Sequence, residues 1–256
     1  WLGLPAMGLA GAALATVISQ HIGVLVAAYL CISKEEDIKI GFKYMKPESK
    51  IIRNIYAVGI PSIIMISISS VTIFSFNQIL AKFSITAVAL LGIYFKLQSF
   101  IFMPVFGLNN GIIPIVGYNY GANDKERMKE AIFLGMRYAV IIMLIGTMIM
   151  MVFPDQLLAM FNASDQMLGI ARVAFRIISA SFVFAAISII SIGVFQAIGR
   201  GTLSMVISII RQLVVLIPLA YLFSLTGNLD RVWWSVIIAE LVAVSICVSN
   251  IRKIIK

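Results

Sequence analysis

Seven long apolar runs constrain the fold of this chain more than any other feature. Each reaches about the 20 residues that an α-helix needs to cross the hydrocarbon core of a bilayer. They cover residues 8–32, 54–81, 85–117, 128–153, 168–198, 202–225 and 232–251. Backbone groups in lipid must pair within the protein, and these runs are too long and too continuous for barrel strands. The sequence therefore predicts an all-α integral membrane protein with seven transmembrane helices.

The composition excludes a soluble domain and a nucleic-acid-binding protein. Hydrophobic residues make up 61% and charged residues 12% of the chain, against about 45–50% and about 25% in soluble domains. The formal net charge is +9, but the basic residues lie in short clusters between apolar runs. No aromatic-rich basic face accompanies them. We therefore expect the lipid bilayer, and no nucleic acid, as a partner.

The basic residues also predict the orientation. Thirteen Lys and Arg residues fall in one set of connections and only two, Lys82 and Arg231, in the other. The larger set consists of Lys34, Lys39, Lys43, Lys46, Lys50, Arg53, Lys125, Arg127, Lys129, Arg200, Arg252, Lys253 and Lys256. Since cytoplasmic connections carry the excess of positive charge, we expect a multi-pass plasma membrane protein with a cytoplasmic C-terminus.

The segment 33–53 is the longest predicted connection and divides the runs unevenly. Its charged residues alternate with apolar ones, which predicts that it lies along the inner membrane surface as a cytoplasmic linker. One helix precedes it in residues 1–32, and six follow in residues 54–256. We interpret the first as the last helix of an N-terminal lobe whose other helices are missing, and the rest as a complete six-helix lobe.

Charged residues within apolar spans are costly and mark candidate functional sites. Lys96, Arg211 and Glu240 are the clearest cases, and Glu240 is the only acidic residue well inside a span. Glu240 has two interpretations. It binds a proton or cation during transport, or it forms a structural ion pair with Arg211 or Lys96.

Polar residues and prolines in the spans are typical of a transporter. Five polar residues are candidates for the wall of a substrate cavity: Asn77, Lys96, Gln98, Asn110 and Gln196. Pro61, Pro104 and Pro114 are candidate hinges, because a proline frees a carbonyl and bends a helix. His21 is the only histidine, and neither a catalytic triad nor a two-His metal site is present in the sequence. We expect no enzyme, no metal and no cofactor.

Several segments resemble a known transporter family. Residues 107–122, GLNNGIIPIVGYNYGA, resemble the end of the second helix in the C-terminal lobe of multidrug and toxic compound extrusion (MATE) transporters. Gly59-Ile-Pro61, Phe195-Gln-Ala-Ile-Gly-Arg200 and Arg211-Gln212 followed by Pro218 agree in order and spacing. Residues 8–20 look like the sixth helix of the same family.

The resemblance implies helices six to twelve of a twelve-helix exporter. Such proteins exchange Na⁺ or H⁺ for amphipathic, often cationic, organic compounds, and their two lobes alternate between inward-open and outward-open states. The family's sodium-coupled branch carries acidic residues in its seventh and tenth helices. Here the corresponding segments, 61–77 and 170–198, contain none, which resembles the DinF-like branch, whose coupling aspartate lies in the first helix.

Two alternatives stay open. A lipid-linked oligosaccharide flippase of the same superfamily shares the scaffold but needs a strongly cationic cavity for its pyrophosphate headgroup. Only Lys96 and Arg211 are available for that role. A seven-helix receptor agrees with the number of spans, although the linker at 33–53 divides its bundle unevenly.

Overall fold

The chain is helical throughout its described part. The computed structural model describes residues 7–34, 47–161 and 163–255. Contacts divide the chain into two compact units, Trp1–Arg53 and Asn54–Lys256. Most of the predicted linker at 33–53, namely residues 35–46, lies outside the described residues, so its placement on the membrane surface stays a prediction.

Ten α-helices and one π-helical segment make up the described structure. In chain order they are α1 (Gly8–Lys34), α2 (Ser49–Ala81), α3 (Ile85–Gly121), α4 (Lys125–Val152), α5 (Pro154–Ala159), α6 (Asp165–Ser179), α7 (Phe182–Ala197), α8 (Gly201–Ile209), the π segment (Ile210–Leu216), α9 (Ile217–Ser224) and α10 (Leu229–Ile255). Among the described residues, six helical stretches are long and apolar enough to cross a membrane, and the pair α6 and α7 makes a seventh if it counts as one span. The prediction of an all-α membrane protein is confirmed.

The fifth predicted span is not one straight helix. The sequence predicted a continuous span over 168–198, but α6 and α7 meet at an angle of 46°. Hydroxyl groups bond backbone carbonyls at the break: Ser181 donates to the carbonyl of Ile178 at 2.7 Å, and Thr147 of α4 donates to that of Ser179 at 2.9 Å. These side chains offer the backbone an alternative to helical bonds, which explains the break.

Helix α3 is the longest element and extends well beyond the hydrocarbon core. Its 37 residues correspond to about 55 Å at about 1.5 Å per residue. The Ser84 hydroxyl caps its start by accepting from the Ala87 N–H at 3.0 Å. The helix runs without a break through Pro104 and Pro114. A bend that changes between transport states stays a prediction for both prolines.

The interior of the second unit forms where α3, α4, α7 and α10 pack together. Its largest fully buried side chains include Trp233, Phe175, Phe182 and Phe195. Two glycines of α4 allow α3 to approach closely: a Cβ at Gly135 would collide with Ile112 Cδ1, and one at Gly146 with Ile101 Cγ2. Small residues at helix contacts are the usual means of close packing in lipid.

We expect Gly146→Ala to lower the free energy of unfolding by about 1–3 kcal/mol, the usual cost of overpacking a close contact. Thermal unfolding in detergent measures the change. Gly92→Ala of α3 is the matched control, because its added Cβ meets nothing within 4 Å while the gain in helix propensity is the same. Adding Ile101→Leu, which lacks the colliding methyl, should recover part of the loss. Equal stability of the two alanine variants would show that the contact between α3 and α4 does not require a glycine at position 146.

Candidate functional site

A cavity of about 760 Å³ lies inside the second unit and is the candidate functional site. Its walls come from α2, α3, α7, the π segment and α10, with a contribution from the end of α6. On α3 the lining residues recur at helical spacing, as in Leu91, Gln98, Phe102 and Asn109. One stripe of this long helix therefore forms a continuous side of the cavity.

Aromatic side chains give the cavity a largely apolar wall. Phe76, Tyr94, Phe95, Phe102 and Phe106 all line it. The Phe102 ring meets the Phe182 ring edge-on with centroids 5.0 Å apart, a favoured aromatic geometry. Because neighbouring aromatic rings fix their orientation, these side chains present flat apolar surfaces. Such surfaces suit an amphipathic organic ligand.

One ion pair lies in the cavity wall. Arg211 of the π segment donates from Nη1 to Oε1 of Glu240 on α10 at 3.0 Å. The two side chains keep 21% and 14% of their surface exposed. The structure thus pairs Glu240 with Arg211, one of the two partners that the sequence left open. Together the two groups add no net charge to the cavity.

The π segment presents polar groups beside this pair. The Ile217 N–H donates to the carbonyl of Gln212, five residues back, which widens the helical turn. Pro218 follows directly and has no N–H to donate, so regular α-helical bonding cannot continue there. The buried Gln212 accepts at Oε1 from the Thr72 hydroxyl at 3.0 Å. This hydrogen bond joins α2 to the π segment across the cavity wall.

Two buried acceptor atoms of the cavity residues lack a partner among the described residues. They are Oε2 of Glu240 and Oδ1 of Asn109. An unsatisfied buried acceptor costs free energy unless a donor reaches it. Both atoms are covered by the protein, and Asn109 Oδ1 packs against Gly193 of α7, so a ligand in the cavity would reach them only after these side chains turn.

The structure brings some of the predicted site residues together and separates others. Gln98, Gln196, Arg211 and Glu240 line the cavity, whereas Asn77, Lys96 and Asn110 do not. Lys96 is exposed, and its ammonium lies 5.9 Å from the centre of the Phe161 ring. Asn77 is half-buried, and Asn110 is exposed.

Helical phase explains which polar residues of α3 reach the cavity. Asn109 follows Gln98 by eleven residues, which leaves it about 20° from the same face at about 100° per residue. Asn110 is turned by about 120°, and Lys96 by about 200°. The sequence analysis names Asn110, and not Asn109, as a cavity candidate. The angular position around the helix axis, calculated relative to Gln98, identifies Asn109 as the residue on the cavity face.

The three prolines lie outside the cavity wall. Pro61 is buried in α2, next to the lining residue Ser62. Pro104 and Pro114 are exposed on α3. Pro114 lines a separate groove between α3 and α4. Their role as hinges stays a prediction.

An ion pair also joins the short helix α5 to α6. Arg172 donates from Nε and Nη2 to the two carboxylate oxygens of Asp155 at 2.8 and 2.9 Å. These hydrogen bonds hold the pKa of the Asp155 carboxyl below its usual value. Both side chains are exposed, so the pair orients α5 and contributes little to stability.

Comparison with known proteins identifies the family. The MatE family model matches residues 61–222, which is more than half of the chain. The chain belongs to the MatE family. This is a family of membrane transporters and not of enzymes. The matched region starts in α2 and ends in α9, so it includes most of the cavity wall.

The relatives and solved structures agree with this assignment. The chain is 30% identical over 234 residues to the multidrug export protein MepA of Staphylococcus saprophyticus. It is 26% identical over 234 residues to MepA of Staphylococcus aureus. A transporter of the MOP superfamily from Pyrococcus furiosus superposes on 98% of the chain with a TM-score of 0.89 and 26% identity. An outward-facing multidrug resistance MATE transporter superposes on 97% of it with a TM-score of 0.88 and 25% identity.

The chain is about half as long as these proteins. The matches cover 91% of the chain but 51% of each MepA relative. They cover 57% and 56% of the two solved structures. The activity of a complete transporter is therefore a proposal for this chain.

Proposed function

We propose that this chain is the C-terminal portion, helices six to twelve, of a cation-coupled antiporter that exports amphipathic, cationic organic compounds by alternating access. The aromatic wall of the cavity carries the proposal. Its rings suit the apolar body of such a compound, and a cation also attracts the faces of aromatic rings. The MepA relatives carry the name of multidrug exporters, which supports the same substrate class.

The coupling ion is H⁺ or Na⁺, and we place its site outside this chain. The segments that correspond to the acidic helices of the sodium-coupled branch hold no carboxylate. Arg211 already pairs with the one carboxylate of the cavity. Both observations favour the DinF-like branch, with the coupling group in a missing N-terminal lobe that completes the cavity. The Staphylococcus MepA relatives support a plasma membrane protein, and the charge bias supports a cytoplasmic C-terminus.

The cavity argues against the flippase alternative. A pyrophosphate headgroup requires unneutralised cations. Of the two cations that the sequence offered, Lys96 lies outside the cavity, and Arg211 is paired with Glu240. The receptor alternative does not agree with membership in a transporter family.

The proposal predicts gradient-dependent transport that depends on the aromatic wall. Everted vesicles that contain the complete transporter should accumulate a fluorescent hydrophobic cation only when an H⁺ or Na⁺ gradient is imposed. Phe102→Ala should raise the KM for the dye by about two- to tenfold, the range for an aromatic contact of about 0.5–1.5 kcal/mol. Phe100→Ala is the matched control, because Phe100 lies on the same helix but is 79% exposed and outside the cavity.

Three results would contradict this proposal. Dye accumulation without a gradient would exclude an antiporter. Equal changes in the KM for the dye in Phe102→Ala and Phe100→Ala would show that the substrate does not bind in the described cavity. Stronger competition by a hydrophobic anion than by a hydrophobic cation of similar size would reverse the proposed substrate charge.

A further inference from the structure

A second concavity lies between the C-terminal half of α3 and the N-terminal half of α4. It has a volume of about 810 Å³. Leu108, Ile112, Ile115 and Leu134 form its apolar part. Gly111 has no side chain, and the space that a Cβ would occupy there is open, with nothing within 4 Å. This space adds to the width of the groove. It shares no lining residue with the central cavity.

The polarity of this lateral groove changes along its length. Arg127 and Glu130 line it beside the turn that joins α3 to α4. Tyr118 lies level with these charges, with 76% of its surface exposed. Tyr138 lies at the opposite end, because Gly135 packs against Ile112 and Tyr138 is nearly one turn further along α4. Aromatic residues with a hydroxyl are typical of the level where lipid headgroups meet acyl chains. One end of the groove therefore combines charged groups with an aromatic hydroxyl, as the headgroup level requires, and its middle is apolar.

The length of the groove agrees with one leaflet of a bilayer. From Leu108 to Asn119, both of which line it, α3 rises about 16 Å at about 1.5 Å per residue. Half of the hydrocarbon core is about 15 Å. An acyl chain lying in the groove would therefore run from the headgroup level towards the middle of the membrane.

The two charged groups at the end of the groove select the headgroup. Among the described residues, neither the Arg127 guanidinium nor the Glu130 carboxylate takes part in an ion pair. The residues lie one helical turn apart, with Cβ atoms about 5–6 Å from each other. A guanidinium suits a phosphate, and a carboxylate, which only accepts hydrogen bonds, suits a primary ammonium. The carboxylate would repel a purely anionic headgroup.

We propose that this groove binds one phosphatidylethanolamine molecule, with its phosphate on Arg127, its ammonium on Glu130 and an acyl chain against Ile112, Ile115 and Leu134. Phosphatidylcholine lacks N–H donors for Glu130, and phosphatidylglycerol lacks the cation. Both bind more weakly. The site shares no lining residue with the central cavity and does not depend on what that cavity transports.

Native mass spectrometry of the transporter in detergent tests the proposal. The protein is delipidated and then given equal amounts of the three phospholipids with identical acyl chains. The wild type should retain phosphatidylethanolamine about tenfold over the other two, the difference that one charge-assisted hydrogen bond provides. Glu130→Gln should remove this preference, and Arg127→Gln should weaken the retention of all three lipids.

A pair of glycine variants tests the apolar part of the groove. Gly111→Leu adds a side chain whose Cβ meets nothing within 4 Å. The longer side chain occupies groove volume and should lower lipid retention about tenfold. Gly92→Leu of the same helix also adds a Cβ that meets nothing within 4 Å but lies outside the groove, so this variant should retain the lipid as the wild type does. Thermal unfolding checks that both variants are folded. A phosphatidylethanolamine with a photoreactive acyl chain should label α3 and α4 in the wild type and not in Gly111→Leu.

Several outcomes would overturn the assignment. They are equal retention of the three lipids by the wild type, unchanged retention in Gly111→Leu, and labelling confined to other helices. If Gly111→Leu instead disrupts assembly of the transporter while lipid retention stays the same, the groove is a protein contact. Loss of dye transport in Phe102→Ala leaves the lipid result unaffected, so this site and the proposed function can fail independently.

Discussion

Replacing Glu240 by Gln is expected to lower the free energy of unfolding by about 3 kcal/mol. Breaking a buried ion pair from one side costs about 3–5 kcal/mol, because the remaining charge stays buried without its partner. The lower end applies here, since Arg211 keeps 21% of its side chain exposed. Gradient-driven export per folded molecule should persist, because Gln retains a carbonyl oxygen at this position. Thermal unfolding and dye efflux, each normalised to folded protein, measure the two effects.

A double-mutant cycle separates the pair from other effects of the substitution. Arg211→Met combined with Glu240→Leu removes both charges and should recover most of the stability that either single variant loses. Glu126→Gln is the control, because its pair with Lys129 lies on the surface with the Glu126 side chain 88% exposed. It should cause no measurable change. Loss of gradient-driven export at a normal level of folded protein would contradict the structural role and make Glu240 a coupling site.

The general fold could be predicted from the sequence because lipid leaves few alternatives. Long apolar runs must be helical, and all seven runs correspond to helical segments. The break between α6 and α7 was missed because hydropathy averages over the hydroxyl groups that cause it. Ser181 acts within its own chain segment, but Thr147 acts from α4, 32 residues away from Ser179 in sequence. The sequence of residues 168–198 alone contains no indication of this contact.

The candidate site was accessible to sequence reasoning only in part. Glu240 stands out as the one acidic residue well inside a span, but its partner depends on which helices are neighbours. Contact between α10 and the π segment brings Arg211 to it. The residues around Tyr118 were recognised as a family resemblance, and their role in a groove became visible only with α4 beside them.

The largest effect we expect concerns the chain by itself. Residues 1–256 reconstituted alone in liposomes should move no fluorescent cation under an imposed H⁺ or Na⁺ gradient. The cavity walls come from one unit of a chain that covers about half of each solved transporter it matches. Alternating access needs a second lobe that closes against this one. Without it, amides that line the cavity, such as Gln98 and Gln196, would face lipid at a cost in free energy.

The complementary experiment supplies the second lobe. Co-expression with a matching N-terminal half should restore dye movement, because contacts between lobes do not in principle require a covalent connection. Size-exclusion chromatography shows whether the two parts associate, and the Phe102→Ala variant of the restored transporter links the recovered activity to this cavity. Gradient-dependent dye movement by residues 1–256 alone would contradict the two-lobe proposal. The chain would then be a self-sufficient seven-helix transporter, and two copies of it would have to provide the facing walls of the pathway.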